Sequence, residues 1–324
     1  MPASANRKNG IRAAMLSALF LGTTPILGKF AYLAGLNPYS LTASRTLIAA
    51  GVMWLFYLAV KSNRKYIYIY PAGLMISFFA GALNGASSLL YYNGLTHIDA
   101  GVSQMLYSLY PLFVVIFRRM DGQRISHWTL IRLVLALIAV ALLVLPVNDS
   151  RIDFVGVGLM LGAGLMYAWH LAVSQRVLYE MPAPTVTLYV LTSMTAVVWI
   201  AFLIHGPAEV PVAGFTPMLL LAAVTIISRL GMFLGVKYLG SIQTALIGVT
   251  EILIAVLLAI GVLGEQLMLR QWIGAGILIT SLILIVFEPG IGLPAFQDRF
   301  KKKGPAANPI VPGSPPPHLT TPSA

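Results

Sequence analysis

The chain has 324 residues, 58% of them hydrophobic and only 10% charged, with a mean hydropathy of +0.84. A soluble domain keeps about a quarter of its residues charged, so this composition excludes a water-soluble globular protein and indicates an integral membrane protein. The lack of cysteine excludes disulfide frameworks and thiolate metal sites, and the net charge of +11 needs another use than covering a soluble surface.

In chain order, the stretch RKNGIRAAMLSALFLG comes first, with the basic flank and apolar core of a signal peptide. Further spans of the same kind follow it, so it reads as a retained first helix. Apolar runs near the roughly 20 residues that cross a hydrocarbon core predict ten spans. They fall at 11–33, 38–60, 71–92, 99–117, 127–147, 154–178, 183–205, 215–236, 241–263 and 270–288. Turn residues mark most junctions: LNP (36–38), PVND (146–149), PAP (182–184) and HGP (205–207). After residue 303 the stretch GPAANPIVPGSPPPHLTTPSA is proline-rich and has little to bury. Residues 289–324 are expected to form a disordered cytoplasmic tail, and residues 1–10 a short cytoplasmic N-terminus.

The basic residues give the orientation. With the N-terminus inside, the internal segments hold Arg7, Lys8, Arg12, Lys61, Arg64, Lys65, Arg118, Arg119, Arg124, Arg176, Lys237, Arg299, Lys301, Lys302 and Lys303. The external loops hold only Arg151 and Arg270. That asymmetry fits the positive-inside rule for an even number of spans with both termini cytoplasmic. The positive charge thereby sets topology, and nucleic acid is not needed to explain it.

The ten spans also read as five used twice, over 11–147 and 153–288. Spans four and five, YSLYPLFVVIFRRMDGQRISHWTLIRLVLALIAVALLV, have the layout of VTEILIAVLLAIGVLGEQLMLRQWIGAGILITSLILIV. In both, an apolar helix ends at a short polar turn (DGQR, LGEQ) and another apolar helix follows. Aligning LGTTPILGKFAYLAGLNP with AWHLAVSQRVLYEMPAP places Lys29 opposite Arg176. A five-span unit is odd, so its second copy enters the membrane upside down. Inverted repeats with a mid-membrane site at their interface characterise secondary transporters.

On these features the chain resembles the EamA-type transporters of the drug/metabolite transporter superfamily over about residues 11–288. The likeness is carried by ten spans in two halves and by Lys29 late in span one. It is carried further by the Pro-then-Arg start of span two (NPYSLTASR), by Pro111 in span four and by the LGEQ turn at Gly264 and Glu265. The chain departs from the family at Glu251-Ile252, where members often show Glu-Pro. It departs again at Gly122-Gln123, where Gly-Glu is common. The resemblance implies a helical bundle with a central cavity and alternating access. Relatives carry amino acids, nucleotide-linked sugars, purines or other metabolites, often outward.

Charges within spans are the informative residues, since each costs about 2.5 to 3.5 kcal/mol on insertion scales. Lys29, Arg45, Arg132, Arg229 and Glu251 qualify, with His170 as a neutral sixth. Arg45 lies seven residues past Pro38, roughly 10 Å along a helix, and Lys29 sits at similar depth on the preceding span. Near the outer third of consecutive spans, they would together form an outward-facing anion site for a carboxylate or phosphate. The competing reading is that they snorkel or bind carbonyls at helix ends, which is the expectation for Arg132 near its own helix end. Arg229 and Glu251 lie eleven residues either side of position 240, hence at matching depth on successive spans. A buried ion pair and a protonatable charge switch are both open for them.

Asn84, Ser87, Ser88 and Tyr91 share a face of span three. Trp169, His170 and Gln243 are candidates to complete the cavity, although each polar residue alone also suits helix packing. His170 has no second ligand at metal-binding spacing. The small-residue pairs GALNG (81–85) and GMFLG (231–235) predict close helix contacts. No G-x-x-x-x-G-K-[ST], G-x-S-x-G or H-E-x-x-H occurs, so neither ATP hydrolysis nor an esterase or zinc-protease site is supported.

The expectation is therefore an all-α secondary active transporter and not an enzyme: a multi-pass protein of the cell membrane, monomer or homodimer, needing no cofactor. It would export a small polar metabolite such as an amino acid, with a proton or an exchanged metabolite as counter-substrate. A membrane-embedded enzyme acting on lipid or prenyl substrates and a channel are the alternatives.

Overall fold

A computed structural model describes residues 3–120, 127–144, 153–205, 211–248 and 250–284. Its regular structure is helical, as it must be where lipid offers the backbone no hydrogen-bond partners. In chain order the helices are α1 (Ala3–Gly22), α2 (Thr24–Leu33), α3 (Pro38–Ala59), α4 (Pro71–His97), α5 (Ala100–Tyr107), α6 (Tyr110–Met120) and α7 (His127–Val144). There follow α8 (Phe154–Leu178), α9 (Ala183–His205), α10 (Phe215–Leu239), α11 (Ser241–Gly248), α12 (Thr250–Leu263) and α13 (Leu269–Ile283). The expectations for the side chains of Arg118, Arg119 and Arg132, for Arg124 and Arg151, and for the tail at 289–324 lie outside the described residues.

Among the described residues, 7 stretches are long and apolar enough to cross a membrane: Arg7–Leu33, Pro38–Ala59, Pro71–His97, Phe154–Leu178, Ala183–His205, Val212–Leu239 and Gln243–Leu263. Within expected spans four, five and ten the described residues form α5 with α6, α7 and α13. The chain is already helical at Ala3, the first described residue, ahead of the expected start at residue 11, and Gly10 lets α1 lie directly on Tyr238 and Leu239 at the end of α10.

Two expected continuous spans are interrupted, and proline explains both. Pro25 lacks an N–H and its ring opposes the carbonyl one turn back, so α1 stops and α2 restarts at Thr24. At the junction the Thr23 hydroxyl and N–H both donate to the Phe20 carbonyl, at 2.7 and 3.1 Å. Pro111 does the same one residue into α6, leaving Ser108 and Leu109 between two short helices. Elsewhere proline opens a helix, where its missing donor costs nothing: Pro38 starts α3, with the Asn37 side chain accepting from the Ser40 N–H at 2.7 Å.

Packing joins the early helices to the late ones. α4 lies along α8 and α9, α1 along α10, α3 against α9 and α10, and α7 against α13. The expected small-residue contacts are formed. A Cβ at Gly81 would stand 2.5 Å from the Val190 carbonyl oxygen on α9, and one at Gly231 would stand 2.7 Å from the Ala13 carbonyl oxygen on α1. Without a hydrophobic drive between helices in lipid, such close backbone approach carries the association.

The N-termini of two short helices are closed by distant side chains. Glu265 accepts from the Ala100 and Gly101 N–H groups of α5, at 2.7 and 2.9 Å. The turn that aims it contains Gly264 at φ 69°, a left-handed conformation suited to glycine. At α11, Gln175 Oε1 accepts from the Ser241 N–H at 3.2 Å. The α4–α8 corner is held by Asp153, which accepts from the Gly156 N–H at 2.9 Å and faces His97 Nδ1 at 2.9 Å.

Gly81→Ala is expected to cost about 1–3 kcal/mol through overpacking against a carbonyl that cannot yield, read as a lower thermal midpoint in detergent. Gly158→Ala meets nothing within 4 Å and should be neutral or gain up to about 1 kcal/mol from helix propensity; equal losses in both variants would refute this packing account. The Gly156 N–H, and His97 after it, hold the exposed Asp153 carboxyl below its usual 3.8. A carboxyl depressed in the folded state stabilises fully above that value and loses its contribution as pH falls through the folded one. Asp153→Asn keeps the cap acceptor but cannot titrate, so its midpoint should fall less than the parent's between about pH 7 and pH 3.

Candidate functional site

A cavity opens at the centre of the bundle, where α1 to α5 meet α10 and α12. Its wall is unusually polar for a membrane interior. α3 contributes Arg45, and α4 contributes Asn84, Ser87, Ser88, Tyr91 and Tyr92. From α5 come Gln104 and Tyr107, from α10 Thr225, Ser228 and Arg229, and from α12 Glu251.

Arg45 is fixed from three sides. One terminal nitrogen donates to Thr225 Oγ1 on α10 at 2.8 Å, the other donates to Ser88 Oγ on α4, and the guanidinium lies 4.5 Å from the centroid of Tyr92. Its Nε has no partner. Arg229 lies 5.1 Å from the centroid of Tyr167 and donates weakly to the Met232 sulfur at 3.9 Å. Tyr91 donates its hydroxyl to Gln104 Oε1 at 3.0 Å, and Gln104 in turn donates to Ser108 Oγ at 3.3 Å, within the interruption between α5 and α6. Asn84 spends its amide on the Met194 sulfur at 3.1 Å, leaving Oδ1 unpartnered. Glu251 is 1% exposed, and its Oε1 is likewise unpartnered.

Of the residues expected from the sequence, this cavity brings together Arg45, Asn84, Ser88, Tyr91, Arg229 and Glu251. The buried ion pair expected between Arg229 and Glu251 is not closed. Among the described residues the one ion pair within 4 Å is His97–Asp153, because the Arg229 guanidinium turns instead to the Tyr167 ring. Both residues still line the same hollow without contact between them.

Four expected residues stand elsewhere. Lys29 donates to the Ile98 carbonyl at 2.9 Å, just before α5; its long stem reaches a free carbonyl at a helix junction rather than joining Arg45. Trp169 is 39% exposed on the outside of the bundle, packed edge-on to Phe79 and stacked on Phe117. One residue on, His170 points the opposite way: it is fully buried between Tyr167 and Phe233, with Nδ1 against the Ala80 carbonyl at 2.9 Å. Gln243 is half-buried on α11 and lines no part of the cavity. Among the described residues no three His, Asp or Glu side chains converge as a metal site.

The sequence reading missed Tyr92, Gln104, Tyr107, Thr225 and Ser228. The last two carried a usable signal, since Thr225, Ser228 and Arg229 recur at helical spacing on one face of an otherwise apolar helix. Gln104, Tyr107 and Ser108 repeat that spacing in span four.

The sequence profile of the EamA-like transporter family matches this chain twice, at residues 8–145 and 154–287. The chain is 25% identical over 297 residues to the "Uncharacterized transporter YcbK" of Bacillus subtilis (strain 168), covering 84% of this chain and 93% of that protein. It also shares its fold with a protein solved by crystallography, at a TM-score of 0.61 and 16% identity over 87% of this chain and 97% of the other. Helices of membrane-crossing length around a polar cavity, with a family match that covers nearly all of them, make the conclusion plain: the chain belongs to the EamA-like transporter family and is a multi-pass membrane transporter.

Proposed function

We propose that this protein is a secondary active transporter that exports a small metabolite bearing a carboxylate and an amine, such as an amino acid, by alternating access between two inverted five-helix halves. The cell membrane is its setting, with both termini cytoplasmic, as the distribution of Lys and Arg suggests. The two matches to one family profile support the duplication. So does the packing, in which α4 on α8 repeats α1 on α10, and α4 on α9 repeats α3 on α10, when each helix is exchanged for its counterpart five spans away. Export and the choice of an amino acid follow from family resemblance.

The observation that carries the reading is a set of three buried polar atoms around one cavity with no protein partner: Arg45 Nε, Asn84 Oδ1 and Glu251 Oε1. An unsatisfied buried group costs about 1–3 kcal/mol, more when charged. A site carrying three of them is complementary to something that arrives. Arg45 Nε offers a donor to a carboxylate, and Ser88 and Tyr92 hold the guanidinium in place for it. Glu251 and Asn84 offer acceptors to an ammonium group. Arg229 faces Glu251 across the same hollow, so a cationic group or a proton that engages Glu251 competes with Arg229 for it. That competition is the charge switch, with the two residues left apart so that the pairing can change.

The test is exchange of labelled amino acids in proteoliposomes without ATP. Arg45→Ala removes a charged hydrogen bond worth about 1.5–3 kcal/mol, so exchange should fall roughly 10- to 100-fold while the thermal midpoint shows folded protein. Wild-type exchange by Arg45→Ala would refute the site, and flux that never saturates would point to a channel instead.

A further inference from the structure

A second, smaller cavity lies next to the central one. Leu21 and Glu251 belong to the walls of both. Along three helices the second cavity continues the first in one direction. On the first span, Thr24 and Leu21 border the central cavity while Ala18, Ser17 and Ala14 border the second. On α10 the central wall ends at Arg229, and Met232 borders the second cavity one turn further on. In the segment of α11 and α12, Glu251 borders both, and Gly248, Ala245 and Thr244 border only the second. The starts of α1 and α11 and the end of α10 lie on one side of the membrane, so the second cavity leads from Glu251 toward that side.

Between the two stands a group of tyrosines. Tyr91 and Tyr107 border the central cavity, Tyr110 and Tyr167 the second. Their rings form a connected cluster, with centroids 4.9 Å apart for Tyr91–Tyr107, 5.3 Å for Tyr107–Tyr167 and 4.9 Å for Tyr110–Tyr167. Tyr110 opens α6, immediately after the interruption at Ser108 and Leu109, and its hydroxyl is seated on Gly248. A Cβ there would stand 2.2 Å from that oxygen and 3.5 Å from the ring carbon bearing it. The glycine is a notch cut to the shape of one hydroxyl.

We infer that the two cavities are consecutive chambers of one translocation path, and that Tyr110 seated on Gly248 is the barrier that closes the path between Glu251 and the side of the membrane where α1 begins. The inference rests on the transport reading, since a barrier implies passage. It goes beyond that reading in naming which side chain closes the path. Tyr110 is suited to the task because it sits where α6 restarts. A small swing of α6 about the interruption lifts the ring from its notch without breaking a continuous helix.

The chain has no cysteine, so single reporters can be placed directly. Ala18→Cys sits in the second chamber and Thr24→Cys in the central one. Their reaction rates with a membrane-impermeant maleimide, applied in turn to each side of reconstituted vesicles without substrate, read the barrier. From the side where α1 begins, Ala18→Cys should react at least tenfold faster than Thr24→Cys. Gly248→Ala displaces the tyrosine and should raise the Thr24→Cys rate toward that of Ala18→Cys. Adding Tyr110→Phe removes the clashing oxygen, leaves an ordinary contact, and should restore the slow rate. Should Gly248→Ala fold poorly, Tyr110→Ala gives the same reading, with a raised Thr24→Cys rate expected. Unchanged Thr24→Cys labelling in Gly248→Ala or Tyr110→Ala, or no restoration in the double variant, would overturn the assignment. Labelling is measured without substrate, so a failed exchange assay with altered labelling condemns the transport reading, and the reverse pattern condemns the barrier.

Discussion

A guanidinium in the middle of a membrane protein has to be surrounded, and the way Arg45 is surrounded organises the molecule. Its partners come from different helices: Thr225 on α10, Ser88 and Tyr92 on α4. α3 therefore cannot rotate or slide relative to either neighbour without exposing a charge to a low-dielectric interior, a penalty of several kcal/mol. The same arginine thus positions the helices and keeps its Nε–H, which has no protein partner, at the cavity wall. The tyrosine, serine and threonine around it are first a solvation shell made of protein, and only then a binding surface.

Proline supplies the second constraint. Pro25 and Pro111 interrupt two helices at mid-course, where the chain crosses the centre of the bundle. Breaks of this kind release backbone groups that polar side chains must satisfy, and they are tolerated where the helix faces protein or a cavity. The hydroxyls of Thr23 and Ser108 stand at the breaks, and Ser108 joins the chain of bonds from Tyr91 through Gln104. These bonds give the irregular backbone protein partners away from lipid.

How much of this was legible in the sequence depends on which face of a helix a residue takes. Depth is readable from counting. Arg229 and Glu251 share one depth by their distance from the turn at 240, and the structure puts both around one hollow, together with Arg45, which was expected nearer the outer face beside Lys29. Direction is not readable when a helix is apolar on every side. Trp169 and His170 are adjacent, both suited to a binding wall, yet one faces outward and the other is locked under Tyr167 and Phe233. Tyr167, His170 and Ser174 do recur at helical spacing on α8, as Thr225, Ser228 and Arg229 do on α10, and there orientation was available from spacing; Trp169 lies off that stripe. Lys29 follows the competing reading: its long stem reaches the Ile98 carbonyl at the junction between two expected spans and not the cavity.

The two ends of the site are held by unequal bonds. At α5, the Glu265 carboxylate accepts two backbone N–H bonds at 2.7 and 2.9 Å, and Lys29 holds the carbonyl of Ile98 just before them. At α11, the corresponding closure is one neutral amide bond from Gln175 at 3.2 Å. Hydrogen bonds to a charged group are roughly twice as strong as neutral ones, so the first turn of α5 is held more firmly than that of α11. The second cavity runs along the more weakly capped α11, where the Tyr110 hydroxyl is seated on Gly248.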